Sequence, residues 1–475
     1  MRNPLCKFRL CLCIRHGCGI QHQNGFLLQS SSSLIYKSLI IKAAERPHTI
    51  KPSHPAVGAV AATVSPTTNK VKPMAEHGDT ETDATKNPAT PSTSSLLPLL
   101  VFEHRITGGH GDGGEDGDGG SGDDDAPDDR MLMYSLAHQS LHEDLEHDLL
   151  LAAGSSMCWA TPQGWILIVN FAAPEGDGGG DDAPTSSSAA ACLWHPSTGD
   201  KLPLPGITED ELDGISQGCK CVLTHKNPTH PGCVVVLLAA GTTDMWFCRV
   251  PLAGGEAATT GGGGWTHHSY DIGNYDLPEE YRAPTKRPIG DVASLHGKLY
   301  FAVDTARDMA AVDFAAAAAA AAASPHHGRP EFRYFDVVGQ DDYPEGMCSG
   351  CQWLVESHDE LFLVSVCFVG FDPSDIGAVQ VHKMDFSAHA WHRVRDIGDA
   401  VFLLQNMNMA ASCPASPLGL QGNRVYFMKN FLEDDADLCV FDLTSETQEI
   451  IKVHEHDDQL LCRTKPFWIV PPTSS

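Results

Sequence analysis

The chain has 475 residues, 42% hydrophobic and 20% charged, which suits a soluble globular protein with one large domain plus tails, or two smaller domains. Asp and Glu number 61 against 32 Lys and Arg, a formal charge of −29, so nucleic acid and an anionic bilayer are excluded as general electrostatic partners. No apolar run approaches the roughly 18 residues of a transmembrane helix, and the strongest, Val234 to Ala240, has the length of a buried strand.

Residues 1–44 carry Arg2, Lys7, Arg9, Arg15, Lys37 and Lys42, with no acid before Glu45 and serines at Ser30 to Ser33. A basic, acid-poor, serine-containing start resembles a mitochondrial or plastid transit peptide. Cys6, Cys11, Cys13 and Cys18 crowd the same segment and no apolar stripe is clean, so the alternative is an untranslated extension with Met74 as the true start. The 16 cysteines are expected to be reduced and mostly buried, because disulfide frameworks belong chiefly to small secreted chains. Asn227-Pro228-Thr229 carries the proline that blocks glycosylation. Together these favour an intracellular protein of the cytoplasm or nucleus, with organelle import as the alternative.

Residues 75–95 are too poor in apolar side chains to offset the entropy of ordering, and 1–95 reads as a disordered or targeting extension and linker. From 96 to 475 the chain reads as one all-β domain. LLPLLVFEH, Leu96 to His104, and MLMYSL, Met131 to Leu136, are strands on either side of an acidic loop at 108–130. Further low-complexity loops are expected at 174–191, 253–264 and 315–329.

Between these insertions a turn dipeptide followed at once by a β-branched or aromatic run occurs five times: TPQG-WILIVN, THPG-CVVVLL, LHG-KLYFAVD, SHD-ELFLVSV and LQGN-RVYFMKN. The anchors Trp165, Val235, Tyr300, Phe362 and Tyr426 are 70, 65, 62 and 64 residues apart. Each is preceded by a short strand, namely MCWAT, CKCVLT, IGDVASL, CQWLVES and MAASC, and most are followed by two more, as in VQVHKMDF and AWHRVRD. Four short strands per repeat describe a β-propeller blade. Pairing the leading strands with PFWIV at Pro466 to Val470 adds a sixth blade, closes the ring and hides two sheet edges. Six four-stranded blades are expected, with seven as the alternative count and a pair of β-sandwiches as the alternative fold.

The candidate chemistry is weak throughout. Cys348-Ser-Gly-Cys351 has knuckle spacing but lacks a second ligand pair; Cys219-x-Cys221 lies two repeats away, at a buried-strand position. In His142-Glu143-Asp-Leu-Glu-His147 the second histidine falls at i+5, off the helix face a zincin needs. His454-Glu455-His456 shares a strand face, yet with 24 histidines one such pair is expected without function. The Asp112 to Asp129 run matches neither EF-hand nor RTX spacing, and Gly290 to Lys298 has six residues between its glycines and enters a strand. Without a G-x-S-x-G elbow, the sequence assigns no catalytic, cofactor-binding or metal residue. Trp165, Trp194, Trp246, Trp265, Trp353, Trp391 and Trp468 recur at strand starts, where rings fill the wedge between blades.

Several ordered motifs carry a resemblance: LPLLVFEH, MLMYSL, TPQGWILI, LWHPSTGDKLPLP, WLVESHDELFLVSV, VHKMDFSAHAWHRVRDIGDAVFL, GNRVYFMKN and KPFWIVPP. Together, from about Leu96 to Pro472, they resemble the plant KIB-type β-propeller domain, a domain family of unknown function. The resemblance implies a kelch-like propeller that binds an unidentified protein partner. In many relatives an N-terminal F-box joins the propeller to Skp1 and a cullin ubiquitin ligase. Nothing from Met1 to Ser95 resembles an F-box, so Skp1 is a partner only if such a segment exists. The expected function is a non-catalytic interaction module, with a ligase adaptor second and a propeller enzyme or sugar-binding protein third.

Overall fold

The computed structural model describes residues 93–106, 128–142, 156–170, 188–208, 211, 214–251, 264–275, 285–315, 329–340, 343–370, 372–373, 375–405, 409–428, 437–453 and 466–472. The expected extension and linker at 1–92, most of the four low-complexity loops, and His454-Glu455-His456 lie outside the described residues. After a single helical turn, α1 (Thr93–Leu96), regular structure is almost entirely β. Among the described residues no helix is long and apolar enough to cross a membrane.

Six sheets follow in chain order. Blade 1 starts with β1 (Leu99–Ile106), β2 (Asp128–Ser135) and β3 (Ser140–His142). Blade 2 is β4 (Ser156–Ala160), β5 (Ile166–Asn170), β6 (Ser188–Trp194) and β7 (Lys201–Thr208). Blade 3 is β8 (Lys220–Leu223), β9 (Val234–Leu238), β10 (Asp244–Arg249) and β11 (Thr266–Ser269). Blade 4 is β12 (Ala293–Leu295), β13 (Lys298–Ala302), β14 (Asp308–Asp313) and β15 (Glu331–Asp336). Blade 5 is β16 (Met347–Ser357), β17 (Glu360–Val369), β18 (Ile376–Asp385) and β19 (Ala390–Val394). Blade 6 holds β20 (Ala400–Gln405), β21 (Met409–Pro414), β22 (Arg424–Met428), β23 (Leu438–Asp442) and β24 (Thr447–Ile451). The last strand, β25 (Phe467–Ile469), returns to pair antiparallel with β1 through Leu99↔Ile469 and Leu100↔Trp468, so the first blade is built from both ends of the domain and the ring closes.

The fold is therefore the expected six-bladed propeller, and four of the five anchor runs, in β5, β9, β13 and β17, form the second blade position, whereas the fifth, in β22, is third in its sheet. One blade departs from the four-strand expectation. MAASC does not lie beside its anchor: β20 sits between them, antiparallel to β21 and parallel to β22, giving the order β21-β20-β22-β23-β24. Both AVFLLQ and MAASC are apolar enough to occupy an inner position, and local pattern does not say which pairs with the anchor. Met409, at the start of the displaced strand, packs into the apolar cluster between blades 3 and 4. The fifth strand thus fills space on the propeller axis. Two loop edges also move: β2 begins at Asp128 and β6 at Ser188, so the ends of the stretches expected as loops at 108–130 and 174–191 are strand. In both places backbone pairing, Ile106↔Asp128 and Ser188↔Thr208, overrides a composition that reads as loop.

Each junction between neighbouring blades holds its own apolar cluster. Leu99, Met133, Ile166 and Trp194 fill the junction of blades 1 and 2; Trp159, Leu167, Cys221 and Val235 fill that of blades 2 and 3. Phe247, Phe301 and Phe314 lie between blades 3 and 4, and Leu354, Leu363 and Trp391 between blades 4 and 5. Phe362, Phe402 and Phe427 fill the next junction, and Phe102, Tyr426 and Trp468 the last. Continuous burial along β9 and β17, where both sheet faces meet another blade, explains why these strands read as unbroken apolar runs instead of alternating ones.

Tryptophans add a directional bond to this packing. Trp159 Nε1 donates to Ser216 O (3.1 Å) and Trp265 Nε1 to Pro205 O (2.9 Å), tying blades 2 and 3. Trp391 Nε1 donates to Ala306 O of blade 4 (2.7 Å), Trp353 Nε1 to Gln405 O of blade 6 (2.9 Å), and Trp468 Nε1 to Leu404 O of blade 6 (3.1 Å). For Trp265, Trp353, Trp391 and Trp468 the expected packing between blades thus extends to the one polar atom of the ring, which is paired as a buried indole requires, and Trp159 joins them.

Candidate functional site

The hairpin turns joining the first and second strands of blades 2 to 5 lie at one end of the ring, and β21 points its C-terminal end the same way. There the inner strands line a small depression, open to solvent, to which five of the six blades contribute. Its apolar lining is Pro162 from the blade 2 turn, Ala293 from blade 4, and Ala410 and Ala411 from blade 6. Its polar wall is Gln163, Lys226, Ser294, Glu356 and Ser412.

Each of those polar groups bonds to another blade. Leu223 N donates to Gln163 Oε1 (3.2 Å), Ser294 Oγ donates to Thr224 O (2.9 Å), and Ser412 Oγ donates to Ser357 Oγ (2.8 Å). Lys226, in the loop after β8, extends past blade 4 to Glu356 Oε1 and Asp359 Oδ1 of blade 5, both at 3.0 Å. Burial opposes the ammonium charge, but the hydrogen bonds it donates to two carboxylates outweigh that and push Lys226 above its usual range. Its hydrogen bond in turn holds the Asp359 carboxyl below the usual range, with weaker help from His296 and His358.

The turns themselves are tight. His296 and Gly297 have φ of 50° and 80°, and a Cβ on Gly297 would stand 2.9 Å from the His225 ring, so glycine is needed both for the turn and for the approach. His358 and Asp359 adopt φ of 52° and 59° without a glycine, a conformation that costs energy in any L-residue. Asp359 N donates to Glu356 Oε1 (2.9 Å), so one carboxylate caps this turn and receives Lys226. His225 stacks on His230, with centroids 3.9 Å apart, and burial followed by the His230 charge pushes its pKa down. At the seam of the ring a Cβ on Gly164, at φ 86°, would meet the Pro472 backbone at 2.6 Å, so the C-terminal segment lies directly on the blade 2 turn.

The sequence candidates do not converge on this mouth. Cys351 is buried between blades 5 and 6, and Cys348 precedes it in β16 at a register shift; the side chain of Cys348 lies outside the described residues. Cys219 and Cys221 lie in the cluster between blades 2 and 3, where burial pushes both thiols up. Of the ten cysteines from Cys158 to Cys439 whose surroundings are described, eight are buried. Gly290 to Lys298 is the approach to a hairpin, β12, a two-residue turn and β13. It carries a buried pair instead: Asp291, pushed up to about 6 by burial against the pull of Lys220, while Lys220 Nζ donates to Gly290 O. His142 ends β3, whereas the residues to His147 and the acidic run from 112 to 127 lie outside the described residues. Among the described residues no group of three or more His, Cys, Asp or Glu is placed to hold a metal ion.

Sequence reasoning missed Lys226, Glu356 and Asp359. The SHD turn was legible and holds Asp359, with Glu356 immediately before it, but 133 residues separate Lys226 from Asp359.

Three solved structures have low similarity to the chain. TolB from Acinetobacter baumannii is 9% identical with a TM-score of 0.26, over 79% of this chain and 67% of that one. The tricorn protease is 10% identical with a TM-score of 0.26, over 76% of this chain and 27% of that one. The Penicillium chrysogenum alpha-L-arabinanase complexed with arabinobiose is 9% identical with a TM-score of 0.23, over 65% of this chain and 80% of that one. No curated protein matches the sequence. The family model described as the KIB1-4 beta-propeller matches residues 133–442, well over half of the chain, in agreement with the resemblance carried by the ordered motifs.

Proposed function

The chain belongs to the KIB1-4 beta-propeller family, and from that premise we propose that its propeller is a non-catalytic module that engages another protein through the mouth of the central channel. The observation that supports this reading is the pairing at the mouth. Gln163, Ser294 and Ser412 each bond to a neighbouring blade, and Lys226 and Glu356 pair across the mouth from blade 3 to blade 5. General acid–base or nucleophilic chemistry asks for a nucleophile, a base within hydrogen-bond reach and an orienting group around one reacting atom. At this mouth the polar groups hold a rigid rim instead, which suits a preorganised recognition surface.

The experiment is affinity purification of the tagged full-length chain, with each recovered partner then remade and its binding measured against the purified chain. Saturable binding that weakens on Glu356→Gln is the expected result. A turnover that survives purification and is lost on the same substitution overturns the reading in favour of an enzyme. Skp1 or a cullin bound directly would make the propeller the substrate-recognition part of a ubiquitin ligase.

A further inference from the structure

We propose that the turn between β8 and β9 is an acid-sensitive latch: protonation of the stacked His225–His230 pair lifts the turn off blade 4 and frees Lys226 from blade 5. The inference goes beyond the interaction-module reading and does not depend on what the mouth engages. Three features carry it.

The first is what the turn holds. Ser294 Oγ of blade 4 donates to Thr224 O (2.9 Å), and the His225 ring lies so close to the blade 4 turn that a Cβ on Gly297 would stand 2.9 Å from it. The next residue, Lys226, bridges to Glu356 and Asp359 of blade 5. One turn thus ties three blades together.

The second is that the stacked pair suits neutral rings. They lie 16° from parallel with centroids 3.9 Å apart, so two charges would face each other almost in contact. Gly232 N donates to His230 Nδ1 (3.0 Å), and a nitrogen that accepts an N–H cannot also carry a proton. Cys233 N in turn donates to His230 O (2.8 Å), so protonating His230 disturbs the backbone bonds that close the turn. Burial and then the neighbouring ring hold His225 below the ordinary 6.5, so the contribution of the stack is intact above 6.5 and is lost as pH falls through the lower folded value.

The third is the surrounding charge. Lys226 stands on the turn itself, His296 on the blade 4 turn, and His358 on the blade 5 turn beside Glu356 and Asp359. Asp359 stays ionised while histidines titrate, because Lys226 holds its carboxyl below the usual range. Acid therefore adds only positive charge here, and His296 and His358, once charged, compete with Lys226 for Asp359.

The test is hydrogen exchange of the full chain, read by mass spectrometry from about pH 7.5 to about pH 5 and corrected for the intrinsic rate. Amides from 225 to 233 are expected to exchange about tenfold faster at the acid end, those of His358 and Asp359 to follow by less, and those of β9 and β17 to stay protected. His225→Phe keeps a ring in the stack, and His230→Asn supplies an oxygen for Gly232 N; each is expected to remove most of the acceleration.

An unchanged turn in the wild type, or the same acceleration in both variants, overturns the proposal. Equal acceleration in β9 and β17 would make the acid effect global unfolding, and also overturns it. A response that survives both variants and disappears in His296→Asn, at a φ of 50° that asparagine tolerates, would place the acid sensor on the blade 4 turn and overturn the assignment to the stacked pair.

Discussion

The wedges between blades and the mouth of the channel are built from opposite materials although both join neighbouring sheets. In the wedges, Trp391, Trp353 and Trp468 are nearly inaccessible, and each adds a single indole bond to a large buried area. At the mouth, Lys226 keeps 30% of its side chain exposed and Glu356 16%, and the joining is done by ion pairs and hydroxyls. Burial of apolar area stabilises by tens of calories per Å², while ion pairs in water-rich surroundings are worth about 0–1 kcal/mol. The wedges therefore carry stability, and the mouth carries geometry and charge.

The strongest way to break that contrast is Trp391→Ala. It leaves a cavity between blades 4 and 5 and an unmet Ala306 carbonyl, and a loss of about 3–5 kcal/mol is expected in urea unfolding. A loss under about 1 kcal/mol would show that the wedge collapses freely and is not the source of stability. Gly164→Ala comes next: the new Cβ meets the Pro472 backbone at a positive φ, so about 1–3 kcal/mol is expected, with faster proteolysis of the C-terminal segment. Trp353→Phe keeps an aromatic ring but loses the N–H to Gln405 O and part of the ring volume, for about 1–3 kcal/mol by the same unfolding measurement.

Mouth substitutions should be milder. Glu356→Gln keeps an oxygen for the Asp359 amide, and its stability cost should stay within about 1 kcal/mol. A cost of the size expected for Trp391→Ala would make the mouth a structural element and erase the contrast.

The smallest effect, and the sharpest test, lies in acid. His225 at the mouth has a folded pKa below 6.5, so the unfolded chain takes the proton first. Its contribution is intact above 6.5 and is lost as pH falls through the lower folded value. Asp291 in the interior has the opposite sign. Its folded pKa of about 6 exceeds the ordinary 3.8, so its contribution is fully present below 3.8 and is lost as pH rises through about 6. Unfolding free energies followed between neutral and acid pH should show His225→Gln flattening the acid loss and Asp291→Asn removing the opposing gain. Equal slopes in both variants and the wild type would refute the two assignments.

Much of this was legible locally. The anchor strands, turns such as LHG and SHD, and the need for PFWIV to close the ring are set by alternation, turn chemistry and the cost of an open edge, all readable within a few residues. The MAASC strand was placed in the correct blade but beside the wrong neighbour, because two apolar segments of similar length compete for one pairing site. Asp128 and Ser188 read as loop because composition is averaged over a window, whereas a strand extends wherever its partner offers another bond.

By itself, then, the sequence determined the all-β class, the blade period and six blades closed by the two ends, because each follows from short-range pattern repeated along the chain. Only the tertiary structure decided that AVFLLQ enters blade 6 in parallel, that Trp391 meets a carbonyl 85 residues away, and that Lys226 meets Asp359 across 133. Those outcomes depend on how neighbouring sheets stack about a common axis. A side chain's pattern along its own strand states which face it occupies, and the blade opposite supplies its partner.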